Sequence, residues 1–218
     1  LELDALAADL DAFVSGRKLD DNAHILLRWK GGAKGMLWSS QVAPGNENAL
    51  KIRIYGSKGG IEWEQESPNN LWYTPFGEPK RLITRGGNGA GHAAARLTRT
   101  PGGHPEGYLE AFANIYSETA AAIRAHRDGR QTSKEVVYPT VQDGLKGVKF
   151  VDACVRSSAR NAAWITVALI KAAMTWSQPS FRLQSAEMCA RTSFMYRSEH
   201  LSWPGRVSPF SGFGEMVA

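Results

Sequence analysis

A histidine and a glutamate stand two positions apart in the segment Gly103-His104-Pro105-Glu106-Gly107-Tyr108. An imidazole at a turn can hydrogen-bond a small-molecule hydroxyl or help shuttle its proton, because histidine titrates near neutrality. Turns at the mouth of a helix often carry such binding groups. His104 and Glu106 are therefore the candidate substrate-binding residues. A plainer role stays open: His104 caps the helix that begins near Pro105 and does nothing else.

A second segment invites a nucleotide reading. Gly89-x-Gly91-x-x-Ala94 matches the G-x-G-x-x-A form, in which glycines let a pyrophosphate approach the backbone at a helix N-terminus. That fingerprint works only inside a strand–helix–strand unit with parallel strands. Here it runs into Leu97-Thr98-Arg99-Thr100-Pro101-Gly102-Gly103, with no parallel strand to follow. The expectation is that no nucleotide cofactor binds this chain alone, and that residues 86–104 form a glycine-rich loop. His24, His92, His126 and His200 lack ligand-spaced companions, so no metal site is expected. Trp29, Trp38, Tyr55, Trp63 and Trp72 load the first half with aromatics. Without an RNA-binding signature around them, packing or a subunit contact is the reading preferred to base stacking.

The elements that must hold these residues follow from periodicity. Ala23, Ile25, Leu27 and Trp29 alternate with polar neighbours, and Gly31-Gly32 then supplies a hairpin turn. Residues 34–42 return as a strand; Leu50, Ile52 and Ile54 alternate again; a turn at 56–60 leads into Ile61-Glu62-Trp63-Glu64. Shorter strands are expected at 71–73 and 81–84, and residues 1–14 read as a strand despite good helix propensity. Two helices come next. The first opens at Pro105, carries Tyr108, Phe112, Ile115, Tyr116, Thr119 and Ile123 on one face, and ends at Asp128-Gly129. The second opens with a capping-box pattern, Thr140-x-x-Asp143, and carries Val141, Leu145, Val148 and Val155 as its expected buried stripe. A last strand is expected at 163–167. Strands first and helices after imply an α+β fold: an open, mainly antiparallel β-sheet with helices packed on one face.

Composition narrows the class. A net charge of +5 is spread rather than clustered, which argues against a nucleic-acid partner. No apolar run reaches the roughly 18 residues of a spanning helix, so no membrane partner is expected. Cys154 and Cys189 have no metal-type or disulfide-type spacing, and a reducing, cytoplasmic setting fits them.

Three segments together resemble the C-terminal domain of the Gfo/Idh/MocA oxidoreductases: residues 54–60, Ile54-Tyr55-Gly56-Ser57-Lys58-Gly59-Gly60; residues 104–112; and residues 140–150. The resemblance covers residues 1–167. It implies the substrate-binding and oligomerisation half of an NAD- or NADP-dependent oxidoreductase acting on a sugar, polyol or cyclic alcohol. It implies a Rossmann domain as the missing partner and a homo-oligomer formed through the open sheet face. In the family a lysine from the Rossmann side works with an Asp and a His from a helix preceding the sheet. Neither element is found here, so no catalytic residue is assigned to this chain and it is expected to be inactive alone. The start at Leu1 agrees with a fragment of a longer reading frame.

Residues 168–218 read differently, with three acids and no clear period, and are expected to be a foreign tail, disordered or frameshifted; a genuine short extension docking on the domain, with residues 168–176 continuing as a helix, is the competing reading. Two rivals to the dehydrogenase-half reading stay open: a non-enzymatic binding or assembly module, and a truncated remnant with no function of its own.

Overall fold

The alternation of the first half becomes strand after strand. A computed structural model describes residues 1–167; the expected tail at 168–218 lies outside the described residues. The strands are β1 (Leu3–Asp11), β2 (Asn22–Trp29), β3 (Lys34–Ser40), β4 (Lys51–Gly56), β5 (Gly59–Glu64), β6 (Asn70–Pro75), β7 (Arg81–Thr84) and, after the helices, β8 (Ile165–Thr166). The helices are α1 (His92–Leu97), α2 (Tyr108–Arg127) and α3 (Val141–Ser158). The class is α+β, and every strand pair is antiparallel. The ladders form two four-stranded groups, β3-β2-β1-β8 and β4-β5-β6-β7.

The core sits under the first group. Leu6 and Ala8 on β1, Ile25 and Leu27 on β2, and Ile165 on β8 meet Ala153 and Cys154 of α3. Period two places Ile25 and Leu27 inward and sends His24, Leu26 and Arg28 to the opposite face. Gly31 and Gly32 close the β2–β3 hairpin at φ 89° and 92°, a left-handed pair that glycine adopts without a Cβ clash. Burial pushes the Cys154 thiol up to about 11, so it stays a neutral core group.

Three expectations need correction. The loop at 86–104 contains a helical turn and a half, α1, where Ala93-Ala94-Ala95 supply high helix propensity. The buried side of α3 is Ala153, Cys154 and Ser157, with Val141, Leu145 and Val155 exposed. Close approach to β1 favours small side chains, and α3 meets the core through Phe150, Ala153, Cys154 and Ser157. The apolar face of α2 is not covered either: Phe112, Ile115, Tyr116 and Ile123 are exposed, and its buried members are Glu118 and Ala122. α2 has no broad packing against either sheet and is tied instead to α1 and its flanking loops.

Helix ends follow the sequence closely. Thr140 and Asp143 form a reciprocal capping box, with Asp143 Oδ2 accepting the Thr140 N–H at 3.0 Å. The Thr140 N–H and hydroxyl and the Lys146 ammonium hold the Asp143 carboxyl well below its ordinary value. Asp128 and Gly129 end α2, with Gly129 at φ 66°.

Candidate functional site

The site is assembled from the end of β7, the β5–β6 turn and the loop that enters α2. Arg85 follows the last residue of β7 and points its guanidinium across the turn at residues 100–106. It donates to the Thr100 carbonyl at 2.8 Å and to the His104 carbonyl, and it lies 3.4 Å from the Glu106 carboxylate. Asn69, from the β5–β6 turn, accepts from Arg85 Nε at 2.6 Å. The same Asn69 donates to the Glu106 carbonyl at 2.9 Å and accepts the Glu106 N–H at 3.3 Å.

Glu106 is turned inward. Its side chain is 8% exposed, and Oε1 accepts the N–H groups of Arg99 and Thr100. Burial alone would raise its pKa, but those two N–H donors and the Arg85 charge hold it below its ordinary value. It is therefore an ionised acceptor, and its Oε1 is engaged by its own loop. His104 is exposed, with its N–H donating to the Pro101 carbonyl at 3.2 Å. So the backbone around His104 is engaged inward while the imidazole faces out. His104 and Glu106 share one turn but do not point into one cavity. Arg85 and Asn69 are not legible in the sequence, because two isolated polar residues 16 positions apart in turns carry no spacing signal.

The glycine-rich segment has no dinucleotide frame around it. β7 before it is antiparallel, and α1 after it is six residues long. A surface hollow lies elsewhere, at the β4–β5 turn, lined by Tyr55, Ser57, Lys58 and Tyr73 among others. Among the described residues no cluster of three His, Cys, Asp or Glu could hold a metal. Nor is any described helix long and apolar enough to cross a membrane.

Behind the turn, α1 and α2 are joined by a forked ion pair. Arg96 donates to both carboxylate oxygens of Glu118, at 2.8 and 2.7 Å, and Glu118 also accepts the Val137 N–H at 2.8 Å. The Arg96 and Val137 donors hold the Glu118 carboxyl at about 2. Arg99 reaches forward to Asn114 and Ser117 of α2 at 2.6 and 2.8 Å. The loop, α1 and the first half of α2 are thus one hydrogen-bonded unit.

Comparison with known proteins agrees with this architecture. Residues 4–167 match the family described as "Oxidoreductase family, C-terminal alpha/beta domain", the C-terminal part of the Gfo/Idh/MocA proteins. A curated relative, the uncharacterized oxidoreductase YfiI of Bacillus subtilis, is 36% identical over 167 residues, covering 76% of this chain and 42% of its own length. An oxidoreductase from Sinorhizobium meliloti superposes with a TM-score of 0.73 at 66% identity, over 76% of this chain and 46% of that one. An inositol dehydrogenase homolog from Azotobacter vinelandii, solved with NAD+, gives 0.72 at 35% identity, over 76% and 43%. The same homolog has been solved with NADH and myo-inositol. This chain spans less than half the length of each of these relatives.

Proposed function

The chain belongs to the Gfo/Idh/MocA oxidoreductase family, and from that premise we propose that it is the substrate-binding and oligomerisation half of an NAD- or NADP-dependent dehydrogenase of a sugar, polyol or cyclic alcohol. The observation that carries the proposal is the uncovered apolar surface of the two long helices. Phe112, Ile115 and Tyr116 of α2 and Val141 and Leu145 of α3 are exposed on a chain that spans less than half of its relatives. Exposed apolar helix faces of this kind mark surfaces open to a partner. The occupant proposed is a Rossmann domain, which supplies the nucleotide and the catalytic lysine. A nicotinamide held by that domain would supply the hydride acceptor for oxidation of the alcohol, and the lysine would take the hydroxyl proton.

This chain's own part is recognition. His104 contacts a substrate hydroxyl from the lip of α2, where its imidazole faces outward. The chain alone is proposed to be inactive, because the nucleotide and the lysine would come from the Rossmann half. The second uncovered surface, the outer face of β2 and β3, pairs with another copy. A polyol is favoured by the myo-inositol found with the Azotobacter vinelandii homolog, and a nicotinamide cofactor by its NAD+ and NADH complexes. The unpaired, buried Cys154 supports a reducing cytoplasmic setting.

The test joins this chain to the N-terminal half of the Sinorhizobium meliloti relative, 66% identical over the shared part. NADH and NADPH formation is then followed over a panel of cyclic polyols and sugars. Turnover by the joined protein and none by the chain alone is the expected result. The proposal is wrong if the joined protein folds, binds nucleotide and still oxidises nothing that the intact relative oxidises.

A further inference from the structure

We infer that Glu106 is a positioning residue for His104, acting through Arg85 and the turn at residues 100–105. The inference rests on the reading of His104 as a substrate contact, but it is tested separately from it.

The turn is held from both ends and from below. On its early side, the Arg99 and Thr100 N–H groups converge on Glu106 Oε1. On its late side, the His104 carbonyl is taken by Arg85, and the Thr100 hydroxyl donates to it as well at 3.2 Å. Beneath, Asn69 bonds both Arg85 and the Glu106 backbone, so the turn is fastened to the β5–β6 connection 37 residues away. Glu106 is the common element: it neutralises Arg85 and ties together both arms of the loop.

Its burial argues for position rather than stability. The Arg85 and Glu106 side chains are 15% and 8% exposed, so both charges surrender much of their hydration. A buried ion pair of this kind adds little net stability, because desolvation offsets most of the attraction. What it does add is a fixed geometry, since the carboxylate's acceptor sites and the guanidinium's fork permit few arrangements. The group left with its face to solvent by that geometry is His104. Placement of a substrate contact to within about 1 Å can matter on the order of 100-fold in rate, so a dedicated clasp is worth its desolvation.

The test uses the full chain. Imidazole signals are recorded by carbon-edited NMR, with His104→Gln supplying the assignment. E106A is expected to shift and broaden the His104 signals. N69A does so less, and E106Q, which keeps an acceptor for Arg99 and Thr100, stays nearer the parent. The indole signals of Trp29 and Trp38 stay put in all three. Unchanged His104 signals in both E106A and N69A overturn the inference. If E106A fails to fold, N69A and R85K decide, and the same unchanged signals overturn it. In the joined enzyme, E106Q is expected to raise KM for the polyol severalfold less than E106A does, at matched nucleotide binding. A displaced His104 in the isolated variants, combined with a joined enzyme that never engages polyol through His104, supports the clasp and counts against the functional reading alone.

Discussion

Ser157 Oγ stands 2.8 Å from the Ala8 amide nitrogen, accepts its hydrogen bond, and donates onward to the Ala163 carbonyl at 2.7 Å. β8 is two residues long and its ladder pairs Thr166 with Ala5 and Ile165 with Leu6, so the β1 N–H groups of Ala8 and Leu10 lie past its end. Ser157 and Ser158, at the end of α3, take the places of missing strand residues: Ser158 Oγ accepts the Leu10 N–H at 3.1 Å. One helix end thereby completes one sheet edge, and buried backbone groups stay satisfied.

Ser157→Ala removes that acceptor from a fully buried spot. The Ala8 N–H is left without a partner, which costs about 1–3 kcal/mol. Ser158→Ala, at the half-buried Leu10, costs less. Urea unfolding checks both; equal midpoints for Ser157→Ala and the parent would mean that water replaces the hydroxyl.

Glu118 makes stability depend on acid. Its folded pKa of about 2 lies below the ordinary 4.5, so its contribution is complete above pH 4.5 and is lost as pH falls towards about 2. Glu118→Gln should therefore lower the melting temperature at neutral pH and flatten the acid limb between those values. Melting curves across that window test this. An acid limb as steep in the variant as in the parent would assign the dependence to other carboxylates.

How far the sequence announces this fold depends on whether the partner of each residue is in the chain. Strands whose two faces differ were legible: Ile25 and Leu27 against His24 and Arg28 give period two, and the sheet follows it. Caps were legible because Thr140 and Asp143 need only each other. The helix faces depart from expectation for the opposite reason. Apolar spacing on α2 and α3 states that a face is to be covered, not that this chain covers it. The same holds for the candidate site. His104 was visible as a histidine in a turn, whereas Arg85 and Asn69 become partners of Glu106 only through folding.

Two adjacent glycines should respond differently to alanine. Gly59 has φ 150°, and a Cβ there would run into the Thr74 carbonyl, which is backbone of the paired strand β6. At Gly60 the obstacle is the Tyr55 ring, 2.6 Å from the added carbon but belonging to an exposed side chain that can swing away. Gly59→Ala should cost about 2–4 kcal/mol through strain and a displaced strand, and Gly60→Ala about 1 kcal/mol or less. A reversed order in thermal melts would place the rigid contact at Tyr55.

Self-association should depend on the outer face of the first sheet. Met36 and Leu26 are cross-strand neighbours, 78% and 52% exposed, and neither belongs to the core. Lysine at both positions places like charges where a second copy would sit, while each long stem still lies along the sheet. Sedimentation should then show the double variant as a monomer at concentrations where the parent associates. Association that survives both lysines would move the contact to another surface.

Phe112→Ala separates the stability of this chain from its partnership. The ring is 42% exposed and leans on Tyr108 with centroids 4.8 Å apart. Full burial would make its loss worth about 3–5 kcal/mol, but with so much of the ring in water the isolated chain should lose only about 1–2 kcal/mol. In the joined dehydrogenase the same ring is expected to lie beneath the nucleotide half, and the cost should rise towards the larger value. Denaturant unfolding of the chain alone and of the joined protein measures both. Equal costs in the two settings would mean that the α2 face stays in water, and the partner would have to cover the chain elsewhere.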